Sequence, residues 1–282
     1  MSLSNKNIIV TGATSGLGSH IAQVLSSEGA NVFIGGRRAD RGAEVAKDTN
    51  TTFHVVDVAD EESNKAFFQA AKDHFGGEEA TVDAILLNAG VEGNNAETHA
   101  SNLKINAYDY IYSVNVRGVI LGIQYGLPLL KKGGSFVMTS SAGSIVPLGA
   151  NPIYASSKAA VDSLVRSYAN QFAESDDERL KSIRIVGVNP TLYATEMADR
   201  FVGGGETAQQ AMEGFSKMVN PSQRVGQAKE LATILRDFVH GDLPYQSGDM
   251  FVADADTHFP LSEYFDRMAK ATQHVQEVQA VQ

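Results

Sequence analysis

Cysteine is absent from the 282 residues, which excludes disulfides, thiolate nucleophiles and cysteine-held metals. Basic side chains are outnumbered, 23 Lys and Arg against 33 Asp and Glu, for a formal charge of −10 with no long basic run to offset it. That balance argues against a nucleic-acid binder, whose affinity rests on Lys and Arg at phosphates. Long apolar runs are also missing. The longest weakly polar stretch, 119–130, is interrupted by Gln124, Tyr125, Pro128 and two glycines. It falls short of the roughly 18 apolar residues of a membrane span. The first residues run directly into Ile8-Ile9-Val10, without the apolar core and small-residue cleavage site of a signal peptide. The histidines (His20, His54, His74, His99, His240, His258 and His274) are scattered, with no His-x-x-x-His spacing, so no metal site is expected. A cytoplasmic protein with no nucleic-acid or membrane partner is the expectation.

What the chain does have is rhythm. Short β-branched runs at 7–10, 31–35, 52–56, 83–87, 135–139, 183–188 and 249–253 alternate with helical patterns near 17–28, 40–47, 60–75, 105–130, 152–173 and 226–240. Strands separated by helix-length crossovers imply a parallel sheet covered on both faces. The expected fold is α/β: a Rossmann-like, doubly wound, seven-stranded parallel sheet with helices on both faces, in one domain over 1–256. Ligands of such sheets bind beyond the carboxyl ends of the strands. The irregular stretches 91–104 and 191–221 follow strands four and six, and so are placed as substrate loops. The tail, 257–282, carries Phe259, Tyr264, Phe265 and Met268 and is expected to be partly helical, packing on this or another subunit. Its last residues, from Gln273, are polar enough to fray.

Directly after the first strand comes Thr11-Gly12-Ala13-Thr14-Ser15-Gly16-Leu17-Gly18, opening a helix. Glycines allow the tight turn and bring backbone N–H groups close to a pyrophosphate at the helix N-terminus, where the dipole favours anions. The same turn without a ligand is the competing reading. At the end of the second strand a dinucleotide site reports on the ribose 2′ position, an acid binding the hydroxyls of NAD and an Arg meeting the phosphate of NADP. Here the chain reads Gly35-Gly36-Arg37-Arg38, glycine where the acid would stand and two guanidiniums after it. NADP(H) is therefore expected over NAD(H).

Tyr154 and Lys158 are four apart, one above the other on a helix face. An ammonium beside a phenol is expected to lower the phenol's pKa toward the range a proton donor needs. Ser141, thirteen residues upstream, is placed to hold the same oxygen. By itself the pair is also what an ordinary amphipathic helix carries by chance.

Taken together, these residues resemble the short-chain dehydrogenase/reductase family, in its shorter Thr-Gly-x-x-x-Gly-x-Gly and Tyr-x-x-x-Lys subgroup, from about residue 5 to 253. Asp57-Val58 lies where the family holds the adenine ring. Asn88-Ala89-Gly90 resembles its Asn-Asn-Ala-Gly, with Leu87 in place of the first Asn. The resemblance makes Asn115 the fourth catalytic residue beside Ser141, Tyr154 and Lys158. Pro190 and Thr195 resemble the segment that cradles the nicotinamide amide. It implies hydride transfer between a nicotinamide and a carbonyl or alcohol carbon. Tyr154 is then the general acid, Ser141 the hydroxyl fixing the oxygen, and Lys158 the group that tunes Tyr154 and binds the nicotinamide ribose. Asn115 would anchor a relay water. A homo-oligomer, dimer or tetramer, is implied as well.

Some positions depart from the pattern. Thr191 replaces the glycine after Pro190, and Ala253-Asp254-Ala255-Asp256 stands where Asp-Gly-Gly is common. Ser140 is the alternative to Ser141. Other classes remain in view: a non-catalytic NADP-binding regulatory or scaffold protein, and a nucleotide-sugar epimerase, for which the tail is too short. Apolar Ile145, Val146, Leu148, Ile153, Leu192 and Met197, with Tyr193, suit a lipophilic carbonyl or alcohol substrate.

Overall fold

The computed structural model describes residues 2–205, 207–241 and 245–271. The main strands are β1 (Asn7–Thr11), β2 (Asn31–Gly36), β3 (Thr52–Val55), β4 (Val82–Leu87), β5 (Leu130–Thr139) and β6 (Arg184–Pro190). A two-residue pair follows, β7 (Tyr193–Ala194) with β8 (Gly226–Gln227), and then β9 (Met250–Asp254) and β10 (Thr257–Pro260). The helices are α1 (Gly16–Ser27), α2 (Ala39–Thr49), α3 (Glu61–His74), α4 (Asn95–Thr98), α5 (Ile105–Tyr112) and α6 (Gly118–Gly126). They continue with α7 (Pro152–Ala173), α8 (Glu178–Ser182), α9 (Glu196–Phe201), α10 (Ala208–Val219) and α11 (Ala228–His240).

The central sheet runs β10-β9-β6-β5-β4-β1-β2-β3. The seven expected strands are all present and parallel. An eighth, β10, is added at the edge, antiparallel to β9, with Phe259 opposite Val252. The order reverses between β1, which continues toward β2, and β4, which continues toward β5. That switch point is where an open sheet leaves a crevice.

Alternation along β1 divides the core. Ile8 and Val10 face a layer built from Ile21 and Leu25 of α1 and Leu231, Leu235 and Phe238 of α11. Ile9 faces the other layer, with Phe67 and Phe68 of α3, Ile123 of α6 and Val161 and Val165 of α7. The pleat sends successive side chains to opposite faces, and in β1 both faces are covered. Each such side chain, fully buried, stabilises the fold by about 1.5–3 kcal/mol.

The expected helix over 105–130 is interrupted. A π-turn at Ser113–Arg117 separates α5 from α6, and a short 3₁₀ turn at Leu127–Leu129 closes the segment. The tail makes β10, a 3₁₀ turn at Leu261–Glu263 and a helical stretch over 264–271. The polar end from Gln273 lies outside the described residues. Among the described residues no helix is long and apolar enough to cross a membrane, and no His/Asp/Glu group could hold a metal ion.

Candidate active site

A cleft of about 820 Å³ opens over the carboxyl ends of β1, β4, β5 and β6. Its floor is tied by side chains from three strands. Asn88, just past β4, donates through Nδ2 to the carbonyls of Thr11 (3.3 Å) and Gly12 (3.4 Å), and its Oδ1 accepts from Thr139 Oγ1 at 3.3 Å. The Thr11 hydroxyl in turn accepts from the amides of Asn88 (3.2 Å) and Ala89 (3.3 Å).

The glycine turn is shaped by close approach. Gly12 has φ 70°, and a Cβ there would sit 2.6 Å from the Ala89 Cα. A Cβ on Gly18 would overlap the Gly12 carbonyl oxygen and stand 2.8 Å from Asn88 Nδ2. Ser15, at the N-cap of α1, is extended and makes no side-chain cap, so the first amides of a twelve-residue helix are left to other acceptors. Gly12, Ser15, Gly16, Leu17 and Gly18 all line the cleft. A pyrophosphate fits this cradle: the first amides of α1 are free of a side-chain cap and three of the five lining positions are glycines. Gly18→Ala should therefore displace the turn and weaken dinucleotide binding by at least about tenfold, roughly one charge-assisted hydrogen bond. Fluorescence titration of the purified variant checks this, and unchanged affinity would mean the turn binds nothing.

Around this turn, the other expected binding residues converge. Asp57, Val58, Asn88, Ala89, Gly90, Pro190 and Thr195 line the same cleft. Arg37 and Arg38 do too, but they diverge. Arg37 Nη2 donates to the Tyr110 hydroxyl at 3.0 Å, and the guanidinium lies 5.7 Å from that ring's centroid. Arg38 turns to the glycine loop, donating to Thr14 Oγ1 at 3.2 Å and to Ser15 Oγ. A Cβ on Gly36 would meet Thr14 Cγ2 at 2.6 Å, so the position expected for an acid has no room for one.

Helix α7 positions the hydroxyl groups. Pro152 opens it, and Asn151, fully buried, caps it by accepting from the Tyr154 amide at 2.9 Å. Asn151 Nδ2 also donates to the Glu92 carbonyl (2.7 Å) and to Asn95 Oδ1 (2.9 Å), fixing the helix start to the 91–104 loop. Of the two serines, Ser141 Oγ accepts from the Gly143 amide at 3.0 Å and is the one that pulls the Tyr154 phenol down, while Ser140 Oγ donates to the Lys158 carbonyl at 3.0 Å. Lys158 is 4% exposed and donates from Nζ to the Thr139 carbonyl at 2.9 Å. Asn115 sits in the π-turn. Its Oδ1 accepts from the Val91 amide (2.8 Å), and its Nδ2 donates to the Val91 carbonyl and to Ser157 Oγ, both at 2.9 Å. The amide therefore clamps the chain just past Gly90 rather than capping its own helix.

The electrostatics differ from expectation. Burial pushes the Tyr154 phenol above its ordinary value, Ser141 pulls it down, and the charge of Glu92 pushes it up again. The expected lowering by Lys158 is not found. Its Nζ lies 5.9 Å from the ring centroid and is bonded to Thr139, and burial brings the ammonium itself down to about 8. Next along the helix, Asp162 is 4% exposed, accepts from Ser144 Oγ at 2.6 Å, and is raised by burial.

The segments that follow β5 and β6 form the outer wall. Val146, Leu148, Leu192, Met197 and Tyr193 line the cleft, joined by Phe201, Phe215 and Val219, which sequence reasoning passed over. Ile145 instead packs against the tail cluster of Val252, Phe259 and Tyr264. Two departures from the family pattern meet each other. Thr191 Oγ1 donates to Asp254 Oδ1 at 3.1 Å, and Asp254 also takes the Ser222 amide and hydroxyl. Two long-range ion pairs span the cleft's mouth, Arg200–Glu92 at 2.6 Å and Arg41–Glu196 at 2.9 Å. No local pattern could have revealed either.

Comparison with known proteins agrees with this geometry. The family model described as short chain dehydrogenase matches residues 6–203. An uncharacterised oxidoreductase of Bacillus subtilis is 32% identical over 89% of this chain and 90% of its own length. Levodione reductase of Leifsonia aquatica is 31% identical over 88% of this chain and 92% of its own. A crystal structure of levodione reductase superposes with a TM-score of 0.78 at 28% identity, covering 90% of this chain and 97% of that one. With a glycine turn at the switch point and Tyr and Lys one helical turn apart in the same cleft, the chain belongs to the short-chain dehydrogenase/reductase family, oxidoreductases that act on alcohols and carbonyls with NAD(P)(H).

Proposed function

We propose that this protein is an NADP(H)-dependent oxidoreductase interconverting a ketone or aldehyde with its alcohol, Tyr154 acting as general acid and base. The observation that carries the reading is that Ser141, Tyr154 and a buried Lys158 one helical turn further on line the cleft that also holds the glycine turn. When bound, the cofactor supplies or accepts the hydride at the carbonyl carbon. Tyr154 gives its proton to the developing alkoxide, and Ser141 holds that oxygen in place. Lys158 presents a charge within the cleft floor and is placed to bind the ribose next to the nicotinamide. Asn115 fixes the turn at Gly90–Val91 that lies over Lys158, and is read as the anchor of a relay water. Gly12 and Ser15–Gly18 receive the pyrophosphate. Asp57 and Val58 border the adenine, Asn88–Gly90 the riboses, and Pro190 with Thr195 the carboxamide. The apolar wall suits a lipophilic substrate, and a cytoplasmic homo-oligomer, dimer or tetramer, completes the reading. Following NADPH absorbance against a panel of linear and cyclic ketones tests it. Oxidation with some member is expected, and cofactor binding without turnover on any would instead favour a regulatory or scaffold protein.

Preference for NADP(H) rests on Arg38, with Arg37 beside it, and on the lack of room for an acid at Gly36. Arg38→Ala should weaken NADP+ by about ten- to a hundredfold, the worth of one or two charge-assisted hydrogen bonds, and leave NAD+ within about threefold. Tighter NAD+ than NADP+ binding by the wild type would end this part of the reading.

A further inference from the structure

Helix α9 carries a carboxylate to the arginines at the far side of the cofactor cleft. Glu196 Oε1 lies 2.9 Å from Arg41 Nη2, and its Oε2 lies 3.6 Å from Arg38 Nη1. Arg38 is the same guanidinium that reaches Thr14 and Ser15 on the glycine turn. The contacts join residues over 150 positions apart in sequence, Glu196 at the start of α9 and Arg38 and Arg41 at the N-cap and in the first turn of α2. It is also accompanied by close approach of the same loop to the turn, since a Cβ on Gly16 would lie 3.8 Å from the Thr195 methyl.

We propose that Glu196 is a cofactor-discriminating residue: its carboxylate competes with the 2′-phosphate for Arg38, lowering affinity for NADP(H) while leaving that for NAD(H) nearly untouched. The inference rests on Arg38 being the 2′-phosphate partner. A phosphate monoester carries about −1.5 to −2 charge and needs forked donors that nothing else occupies. In this arrangement Arg38 and Arg41 are already partly neutralised by one carboxylate. Phosphate entry must either displace Glu196 or sit beside it and suffer like-charge repulsion. The 2′-hydroxyl of NAD(H) brings no charge and meets neither cost. Side chains of Arg38, Arg41 and Glu196 are about half exposed, so the penalty is moderate and sensitive to salt. The contact also links cofactor type to the loop, because NADP(H) favours release of α9 from Arg38 whereas an NAD(H)-bound enzyme can keep it.

Equilibrium titrations of NADP+ and NAD+ against wild type, Glu196→Gln and Glu196→Ala test the proposal without any turnover assay. Both variants are expected to bind NADP+ about three- to tenfold more tightly at low ionic strength, with NAD+ within about twofold and the gain shrinking in concentrated salt. In an Arg38→Met background the gain should vanish. NADP+ affinity unchanged or weakened in both variants, equal movement of both cofactors, or a gain that survives in Arg38→Met would overturn it. A wild type that prefers NAD+ would refute the proposed NADP(H) preference, yet a selective NADP+ gain on removing the carboxylate would still uphold the competition.

Discussion

Replacing Tyr154 by Phe is expected to cut turnover of a carbonyl substrate by roughly a hundred- to ten-thousandfold, the contribution of one positioned proton donor. Cofactor affinity should stay within a few-fold, because the ring remains and only the hydroxyl is lost. Ser141 and Tyr154 are read as acting on the same substrate oxygen, so Ser141→Ala in the same background should cost little more; groups acting on one oxygen are not additive. The pH dependence follows from the phenol's surroundings. Burial and the Glu92 charge hold Tyr154 above the ordinary tyrosine value, against the pull of Ser141. The protonated form needed for reduction is thus fully present at neutral pH, and kcat/KM for reduction should not fall on account of Tyr154 until the medium is strongly alkaline. Alcohol oxidation needs the phenolate, so its rate should climb with pH across the same range. Steady-state assays in both directions check this. Near-normal turnover in the Phe variant would remove Tyr154 from the chemistry.

The alternation of strands and helices was readable because the sheet is buried on both faces, which leaves short apolar runs with helical spacing between them. The site motifs were readable because each is local: a turn, a strand end or one face of α7. What escaped has different causes. Strand β10 is reached through a turn in which Ala255 takes φ 52°, a conformation normally signalled by Gly or Asn, so no hairpin showed. The π-turn at Ser113–Arg117 has no glycine or proline to announce it, and only the bonds of Asn115 to Val91 explain why the helix bulges there. Glu92, Asn151, Glu196 and Arg200 matter through partners brought near by the fold. Even Tyr154 and Lys158, correctly paired by spacing, were misjudged electrostatically. Spacing predicts proximity but says nothing of how far both are desolvated, and burial is the largest influence on each group here.

Lys158→Met is expected to yield a protein that is more stable than the wild type and nearly inactive. Only 4% of Lys158 is exposed, and burial brings its ammonium from 10.5 to about 8, with the charge of Asp162 opposing that drop. A folded-state value below the unfolded one means that the unfolded chain binds the proton more tightly, so holding the charge in the fold is a cost. That cost is fully present below pH 8, shrinks as pH rises from about 8 to 10.5, and is gone above. At neutral pH it amounts to at most about 3 kcal/mol. Methionine follows the same stem and carries no charge. Losing the bond to the Thr139 carbonyl returns about 1 kcal/mol, leaving a net gain of about 1–2 kcal/mol. Thermal midpoints should accordingly rise by about 3–6 °C at pH 7, with the advantage over wild type narrowing above pH 8. Melting both proteins by circular dichroism at pH 7 and pH 9.5 decides it. A variant that melts lower at pH 7, or one whose advantage does not narrow with pH, would show that Lys158 supports the fold rather than straining it. Retention of a destabilising buried charge by an otherwise well-packed helix is the physical mark of a residue kept for its chemistry.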